Sequence, residues 1–500
     1  MDITSLLTGV DVLAVEGPLD RKVASVVSHS GEASPGACFV AIRGTTADGH
    51  SFIPEAVQKG AVLVLAEGSV PSQALHPPGS AGATLAVVAN TRRALALVAR
   101  NFFGDPSRQL ALIGVTGTNG KTTTTLLTES ILRVAGIRTG LVGTLFYRFG
   151  DEEVSALHTT PEAPVLQGAL ARMVKEGVTH CIMEVSSHAL VLDRTVGCTF
   201  EASVFTSFSQ DHLDFHLSLE DYFQAKTKLF YEYTFRAAIL NADDPWFARL
   251  LDEGRQKLLT YGLAGTPDIK AHDLELSVRG TRFTVATPAG TLRVESPLIG
   301  RHNIYNMLAA VGVGLHVGVE PAAIQEGLEV CRAIPGRFER VEAGQDFAVV
   351  VDYAHTDDAL RNALEAARSL GPARLLTVFG CGGDRDALKR PKMGAVAARL
   401  SDEVIVTSDN PRTEDPTAII DQILAGIAEV PGGPERTAVV PDRQEAIAEA
   451  VGRAHSGDFV LIAGKGHETY QIVGMERRPF DDRLVARRAL EARLGQRAVP

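Results

Sequence analysis

The stretch Ile113-Gly114-Val115-Thr116-Gly117-Thr118-Asn119-Gly120-Lys121-Thr122-Thr123 constrains the fold more than any other part of this sequence. An apolar run at 110–115 reads as a buried strand, the glycines as a tight turn, and residues 122–135 as a helix that begins at the turn. The first backbone N–H groups of such a helix lack intrahelical partners and favour phosphate oxygens. Lys121 adds a positive charge where terminal phosphates would lie, and the Thr122 hydroxyl is placed to ligate Mg²⁺. A Gly-rich turn that binds nothing is the plainer reading, but strand, turn, Lys, Thr and helix coincide, which points to ATP. The common phosphate loop has glycine five residues before the glycine of its Gly-Lys pair. Here that position is Val115, with glycines at 114 and 117 instead.

A chain of 500 residues, 45% hydrophobic and 22% charged, has room for about three domains, each with its own core. A formal net charge of −11 argues against a nucleic-acid partner, because phosphate backbones select basic faces. The five cysteines, Cys38, Cys181, Cys198, Cys331 and Cys381, are scattered and lack CxxC spacing, so neither a zinc site nor a disulfide framework is expected. The first residues show no basic segment followed by an apolar one, and no apolar run approaches the roughly 18 residues a membrane span needs. A cytoplasmic monomer without a membrane span is the expectation.

The expected fold class is α/β in three domains. Residues 1–107 alternate short apolar strands (38–42, 61–66, 84–88) with helical stretches and end at the Gly104-Asp105-Pro106-Ser107 turn, which predicts a small α/β domain. Residues 108–334 repeat strand and helix signals around the phosphate loop, with strands at 181–185 and 202–206, and predict a mostly parallel ATPase-like sheet. Within it, 273–298 reads as an antiparallel flap turning at Arg279-Gly280 and Ala289-Gly290, and 303–316 as a helix. Residues 335–500 carry strands at 347–351, 375–379, 403–407 and 459–463 separated by helical sequence, which predicts a Rossmann-like doubly wound domain.

Ligands of open parallel sheets bind beyond the carboxyl ends of the strands, and the polar clusters of this chain lie there. Strand 181–185 delivers Glu184-Val185-Ser186-Ser187-His188, and strand 202–206 leads into Gln210-Asp211-His212-Leu213-Asp214-Phe215-His216. A carboxylate and an imidazole near a triphosphate suggest a divalent-metal site, although either residue alone is more often a hydrogen-bonded structural one.

The variant loop Gly-Thr-Asn-Gly-Lys-Thr-Thr resembles that of the Mur ligase and folylpolyglutamate synthetase superfamily. Together with Glu-Val-Ser-Ser-His, Asp-His-Leu-Asp-Phe-His, Tyr222-Phe223-Gln224-Ala225-Lys226, Asn303 after Gly300-Arg301-His302, Val351-Asp352-Tyr353-Ala354-His355-Thr356 and Gly380-Cys381-Gly382-Gly383-Asp384-Arg385-Asp386, it is similar to the Mur ligases of the MurE type over nearly the whole chain. The resemblance implies a cytoplasmic, ATP- and Mg²⁺-dependent ligase. Such enzymes add the third amino acid to the D-glutamate of UDP-N-acetylmuramoyl-L-alanyl-D-glutamate during peptidoglycan synthesis. It implies domains for the UDP precursor, for ATP and for the amino acid.

Carried over by motif, Thr122, Glu184 and His212 would hold Mg²⁺ with Lys226 as a carbamylated lysine. An ammonium would repel a cation, whereas a carbamate is an anionic oxygen ligand; without the motif, Lys226 reads as a solvated helix lysine. Gly117, Thr118, Asn119, Gly120, Lys121, Thr122 and Thr123 would cradle the phosphates. Asn303 would contact adenine, and Arg337 and Asp352 would reach the nucleotide from the third domain. For the UDP precursor the similarity points to Ser30, Thr45, Thr46, Ala47, His158, Thr159, Thr160, Ser186 and Arg194. Two departures stand out: His29-Ser30-Gly31 where the family commonly has Asp-Ser-Arg, and Asp357 where proline is frequent.

The third-domain loops Ser408-Asp409-Asn410-Pro411-Arg412 and Gly464-Lys465-Gly466-His467-Glu468 decide the amino acid. Asp-Asn-Pro-Arg resembles the family's signature for meso-diaminopimelate. That substrate carries a second, distal carboxylate that lysine lacks, and the planar forks of Arg412 and Arg385 bind carboxylates bidentately. Asp409, Asn410, Pro411, Gly464 and Glu468 complete this expected site, Glu468 taking the distal ammonium. Lysine or ornithine as substrate, a folylpolyglutamate synthetase-like ligase, and a catalytically silent homologue are the alternatives. The last is opposed by Lys121, Thr122, Glu184, His212 and Lys226 all being intact.

Overall fold

The computed structural model describes residues 1–44, 47–213, 215–250 and 257–497; Thr45, Thr46 and Asp214, named above, lie outside them. Among the described residues the strands form sheets of five, eleven and six, with one further two-stranded hairpin.

The first sheet runs Val12–Glu16, Thr84–Val88, Leu63–Ala66, Ala37–Val40, Ser25–Val27, parallel except at the Val12–Glu16 edge. The three inner strands match the strong apolar runs of the sequence. The two outer ones escaped the reading because an edge strand such as Val12–Glu16, mostly exposed, has no buried face to imprint a pattern.

In the central sheet, strand Ala111–Thr116 lies between His180–Glu184 and Ala202–Phe205, all parallel. Thr139–Val142 extends the parallel array on one side, and Ala237–Asn241 and Lys257–Gly262 on the other. Such strands are buried on both faces and read as continuous apolar runs. Their alternate side chains enter two different cores. Ile113, Val115, Ile182 and Val204 pack with helices Lys121–Val134 and Arg301–His316, whereas Leu112, Cys181, Met183 and Phe205 pack with Ala163–Lys175 and Leu219–Tyr231. The flap expected at 273–298 is real but longer: Ile269–Ser277, Gly280–Thr287 and Gly290–Ser296 form an antiparallel wing continuous with the sheet. A second wing, Phe146–Phe149 with Glu152–Ser155, closes the opposite edge.

The third sheet has the order Glu339–Arg340, Ala348–Asp352, Phe459–Ala463, Leu375–Phe379, Glu403–Val406, Thr437–Val439. Helices cover both faces, and the four central strands are those the sequence indicated. No described helix is long and apolar enough to cross a membrane.

Candidate functional site

The carboxyl ends of Ala111–Thr116, His180–Glu184 and Ala202–Phe205 lie side by side at one end of the sheet. Gly117 (φ 144°) and Gly120 (φ 87°) take backbone conformations that favour glycine. A Cβ at Gly117 would run into the Thr206 hydroxyl, and one at Gly120 into the Asn306 amide. The loop is thus packed by Thr206 and Asn306, and the helix Lys121–Val134 begins directly after it, at N-cap Gly120. The displaced glycine pattern has a physical counterpart: Val115 is a fully buried strand residue, and the turn begins at Gly117.

Thr122, Glu184, Lys121 and Lys226 gather around this loop, while His212 packs against His188 and Asp211. Glu184, 1% exposed, accepts from the Thr122 hydroxyl (3.0 Å), the Thr144 backbone N–H (2.8 Å) and the Thr144 hydroxyl (3.0 Å). Lys226 is also 1% exposed, which excludes the solvated-lysine reading. Its Nζ donates to Gly117 O at 2.8 Å, and Lys121 Nζ donates to the same carbonyl at 2.8 Å and to Thr118 O at 2.9 Å. Two lysine Nζ atoms therefore converge on one oxygen. Burial, reinforced by the Lys121 charge, holds the Lys226 pKa well below the usual lysine value. Burial lowers Lys121 too, with Glu184 and Asp211 acting in the opposite direction. His212, at φ 52°, stands edge-on to His188 with ring centres 4.8 Å apart, and its Nε2 lies 3.6 Å from Asp211 Oδ2. Among the described residues no three His, Cys, Asp or Glu side chains form a ready cation cluster. The expected set contains only two such residues, the others being Thr122 and Lys226.

From the third sheet, Arg337 reaches over the Tyr353 ring (4.7 Å) and brings Nη2 to 3.5 Å from the Thr122 hydroxyl. Asp352 accepts from the backbone N–H groups of Phe338 (2.8 Å) and Ala354 (2.9 Å), and burial raises its pKa although Arg337 opposes the shift. Ser209 donates its hydroxyl to Asp358 at 2.8 Å, and exchanges two 3.1 Å hydrogen bonds with Thr118 of the phosphate loop. Asn303, 2% exposed, sits behind the loop, with its Nδ2 on Ile299 O (2.8 Å) and its Oδ1 accepting from Asn306 (3.1 Å).

The residues expected to meet the UDP precursor fall in two places. Thr160 donates to Glu184 O (2.8 Å) and accepts from Ser186 N–H (3.1 Å), and Arg194 donates to Thr160 O (2.9 Å) while pairing with Glu162 (2.6 Å). Thr159 shares a 3.1 Å hydroxyl contact with Thr144, and the His158 carbonyl accepts from Tyr147 (2.6 Å). These five therefore adjoin Glu184. Ser30 and Ala47 lie in the first sheet's loops; Ser30 donates to Glu55 at 3.0 Å, and Ala47 is exposed with its carbonyl accepting from Gly44 N–H.

The two amino-acid loops form one interlocked unit. Asn410 donates to Glu468 (2.9 Å) and accepts from Lys465 Nζ (3.0 Å), and Lys465, fully buried, also reaches Glu468 (2.9 Å). One carboxylate oxygen of Glu468 is therefore already occupied. Arg412, at φ 53°, donates to Gly383 O (2.6 Å), which sets its guanidinium against the loop carrying the exposed Arg385. Pro411 is buried, and Asp409 accepts from Asn410 N–H at 2.7 Å. Gly464 N–H donates to Asp352 O at 3.1 Å, and a Cβ on Gly336 would strike Gly466 and His467. Residues 336–337 thus lie between these loops and the phosphate loop.

Sequence reasoning passed over several residues that build the site. Thr144 orients Glu184 from forty positions away, with no motif of its own. Arg390, 1% exposed, grips Glu414 by two 2.8 Å hydrogen bonds and holds Glu414 at about 2, while Glu414 accepts from Asp384 N–H at 2.5 Å. Arg443 and Asp482, both inaccessible, pair at 2.8 and 2.7 Å behind Asp409. Neither arginine carries a signal in the sequence, because its burial is set by the elements docked around it.

With this geometry described, the chain can be set beside known proteins. Residues 22–103 match the family model described as Mur ligase family, catalytic domain; 115–314 match Mur ligase middle domain; and 336–466 match Mur ligase, glutamate ligase domain. A protein of Syntrophomonas wolfei subsp. wolfei is 44% identical over 497 residues (99% of this chain, 100% of the relative), and one of Thermosynechococcus vestitus is 47% identical over 503 residues (99% of each). Both are named UDP-N-acetylmuramoyl-L-alanyl-D-glutamate--2,6-diaminopimelate ligase. A solved structure of a protein with that same name superposes with a TM-score of 0.71 at 32% identity, covering 99% of both chains.

Proposed function

The chain belongs to the Mur ligase family, and on that premise we propose how its residues join meso-2,6-diaminopimelate to the D-glutamate γ-carboxylate of UDP-N-acetylmuramoyl-L-alanyl-D-glutamate with ATP as phosphoryl donor. It is an ATP-dependent ligase. ATP lies with its phosphates on the N–H groups of residues 117–123 and on Lys121. Asn303 faces the adenine side, and Arg337 and Asp352 approach from the third sheet. The UDP precursor runs from Ser30 and residues 45–47 to His158, Thr159, Thr160, Ser186 and Arg194, which delivers its γ-carboxylate beside Glu184. A carboxylate oxygen attacks the γ-phosphorus. The new O–P bond forms as the bond to ADP breaks, and Lys121 meets the charge that develops.

The amine of diaminopimelate then attacks the acyl phosphate carbonyl, and the tetrahedral intermediate expels phosphate as the amide forms. Arg412 and Arg385 hold the distal carboxylate, Glu468 with Gly464 takes the distal ammonium, and Asp409, Asn410 and Pro411 complete the site. Holding three reactants in one cleft supplies several kcal/mol of the barrier and keeps water from the acyl phosphate.

Mg²⁺ suits the donor set at the loop. Glu184 is a buried carboxylate beside the Thr122 hydroxyl, and its three hydrogen bonds all come from neutral groups, an oxygen donor of the kind a hard cation takes. Thr122, Glu184, His212 and Lys226 would hold the cation, which when bound neutralises phosphate charge. Burial and the Lys121 charge favour the uncharged form of Lys226, and its amine would add carbon dioxide, forming an N–C bond and releasing one proton, to give a carbamate, an anionic oxygen ligand suited to a hard cation. ATP and the UDP-linked precursor place the reaction in the cytoplasm.

The observation that carries this reading is Arg337, which runs from the turn packed against the Gly466-His467 loop to the Thr122 hydroxyl and so joins the amino-acid loops to the phosphate loop. The test is ADP release with each substrate omitted in turn. Release that requires precursor, diaminopimelate and ATP together supports the reading. Release driven by glutamate and a folate would transfer the chain to the folylpolyglutamate branch.

A further inference from the structure

The signature loop Asp409–Arg412 does not hold its own shape. Arg412 sits at φ 53°, a left-handed conformation that costs a non-glycine residue about 1–2 kcal/mol and persists only where neighbours enforce it. The enforcing element is a hairpin some sixty positions later, Tyr470–Val473 paired with Glu476–Pro479. Ile472 O accepts from Arg412 N–H at 3.1 Å, and Gly474 N–H donates to Arg412 O at 2.7 Å, so both backbone groups of the strained residue end on the hairpin. Ile472 N–H donates to the Asn410 side-chain oxygen at 2.9 Å, and Gln471 donates its amide to Asp409 O at 2.6 Å. The hairpin is itself fixed at its base, where Tyr470 lies under Arg477 (3.5 Å) and beside Lys465 (5.6 Å). Its outer strand is exposed throughout, and Met475 at the tip is 94% exposed. The element therefore buries little for its own sake. Its inner edge is spent on one loop.

We propose that this hairpin, through Gln471 and the backbone of 472–474, is the positioning element that aims Arg412 at the distal carboxylate of the amino-acid substrate, and hence a determinant of selection for a dicarboxylic diamine over a monocarboxylic one. The inference rests on the functional reading above. Gln471 is the one side chain in the clamp that is removable without touching the signature loop. Its amide N–H is the donor, because the group it meets is a carbonyl oxygen. Without it, Asp409 and the strained Arg412 sample other conformations, and the cost falls on binding of the distal carboxylate. Lysine ends in an ammonium alone, does not use that carboxylate contact, and feels little of the change.

The experiment measures kcat and KM for diaminopimelate, lysine, ATP and the UDP precursor in the full chain, in Gln471→Ala and in Met475→Ala as a control at the exposed tip. Loss of one hydrogen bond predicts a diaminopimelate KM raised about three- to tenfold in Gln471→Ala. The ATP and precursor KM values stay within about twofold, and the preference for diaminopimelate over lysine falls by the same factor as its KM rises. Gln471→Met, which keeps the side-chain bulk and loses the donor, gives the same split and serves if the alanine variant does not fold. An unchanged diaminopimelate KM in a folded variant, or equal rises for every substrate, overturns the inference. A parent enzyme that turns over lysine but not diaminopimelate instead overturns the substrate reading, which the parent assays alone reveal.

Discussion

Replacing Glu184 by glutamine separates function from stability at the centre of the site. The side chain is 1% exposed and accepts three hydrogen bonds, all from neutral donors: the Thr122 hydroxyl at 3.0 Å, the Thr144 hydroxyl at 3.0 Å and the Thr144 N–H at 2.8 Å. A glutamine of the same shape keeps its carbonyl on the Thr144 N–H, which only donates, and turns its NH₂ toward the two hydroxyls, which can rotate to accept. Hydrogen bonds to a charged acceptor exceed neutral ones by roughly 1 kcal/mol each, so the three contacts together lose about 3 kcal/mol in Glu184→Gln. Removing a buried charge returns a comparable amount of desolvation. The net change in stability is within about 1 kcal/mol, a shift of no more than about 3 °C in Tm. Activity behaves differently. Glu184 is proposed to hold the cation that neutralises phosphate charge, so its loss lowers kcat by about 10²–10³, and it opposes the lowering of the Lys121 pKa. The Lys121 pKa moves further down, and the alkaline limb of the rate profile moves to lower pH. The assay is ADP release at saturating substrates, alongside thermal unfolding. Retention of kcat within threefold, with an unmoved alkaline limb, would show Glu184 to be a structural acceptor and refute the reasoning.

Three other changes probe separate parts of the site. Lys226→Ala removes one of two lysine side chains crowded on Gly117 O; activity should fall at least about 10²-fold, Tm should not collapse, and added short-chain carboxylates should partly restore turnover, which a purely structural lysine would not allow. Arg412→Ala should cost about 1.5–3 kcal/mol, roughly ten- to hundredfold in diaminopimelate utilisation, and an unchanged value would remove the assignment. Glu414, held at about 2 by Arg390, contributes stability that is complete above the ordinary glutamate value of 4.5 and is lost as pH falls from there toward 2; Glu414→Gln should flatten that part of an acid-unfolding curve, and identical curves would contradict the pairing.

What the sequence made legible was local. The phosphate loop, its strand and its helix are contiguous, and their apolar run and glycine pattern carry the geometry without help from distant residues. The four inner strands of the third sheet were equally legible because burial on both faces writes an unbroken apolar run. Residues that act at a distance were not. Thr144 follows Thr139–Val142 in a loop that only the parallel pairing with His180–Glu184 brings beside Glu184. Lys226 looks like any helix lysine until the helix is docked against the sheet. The hairpin that fixes Arg412 has one exposed strand, so neither alternation nor hydrophobicity announces it. Of the metal-site expectation, Thr122, Glu184 and His212 were indicated by the phosphate loop and the strand ends, whereas Lys226 was legible only through motif resemblance, because a lysine is not a residue that metal spacing rules select.

The most direct test of the central claim is a competition: enzyme, ATP and UDP-N-acetylmuramoyl-L-alanyl-D-glutamate with equal meso-diaminopimelate, lysine and ornithine, and the product read by mass. The account predicts a single dominant product bearing diaminopimelate, formed with one ADP per amide. A dominant lysine or ornithine product, or ADP release without amide, would contradict it.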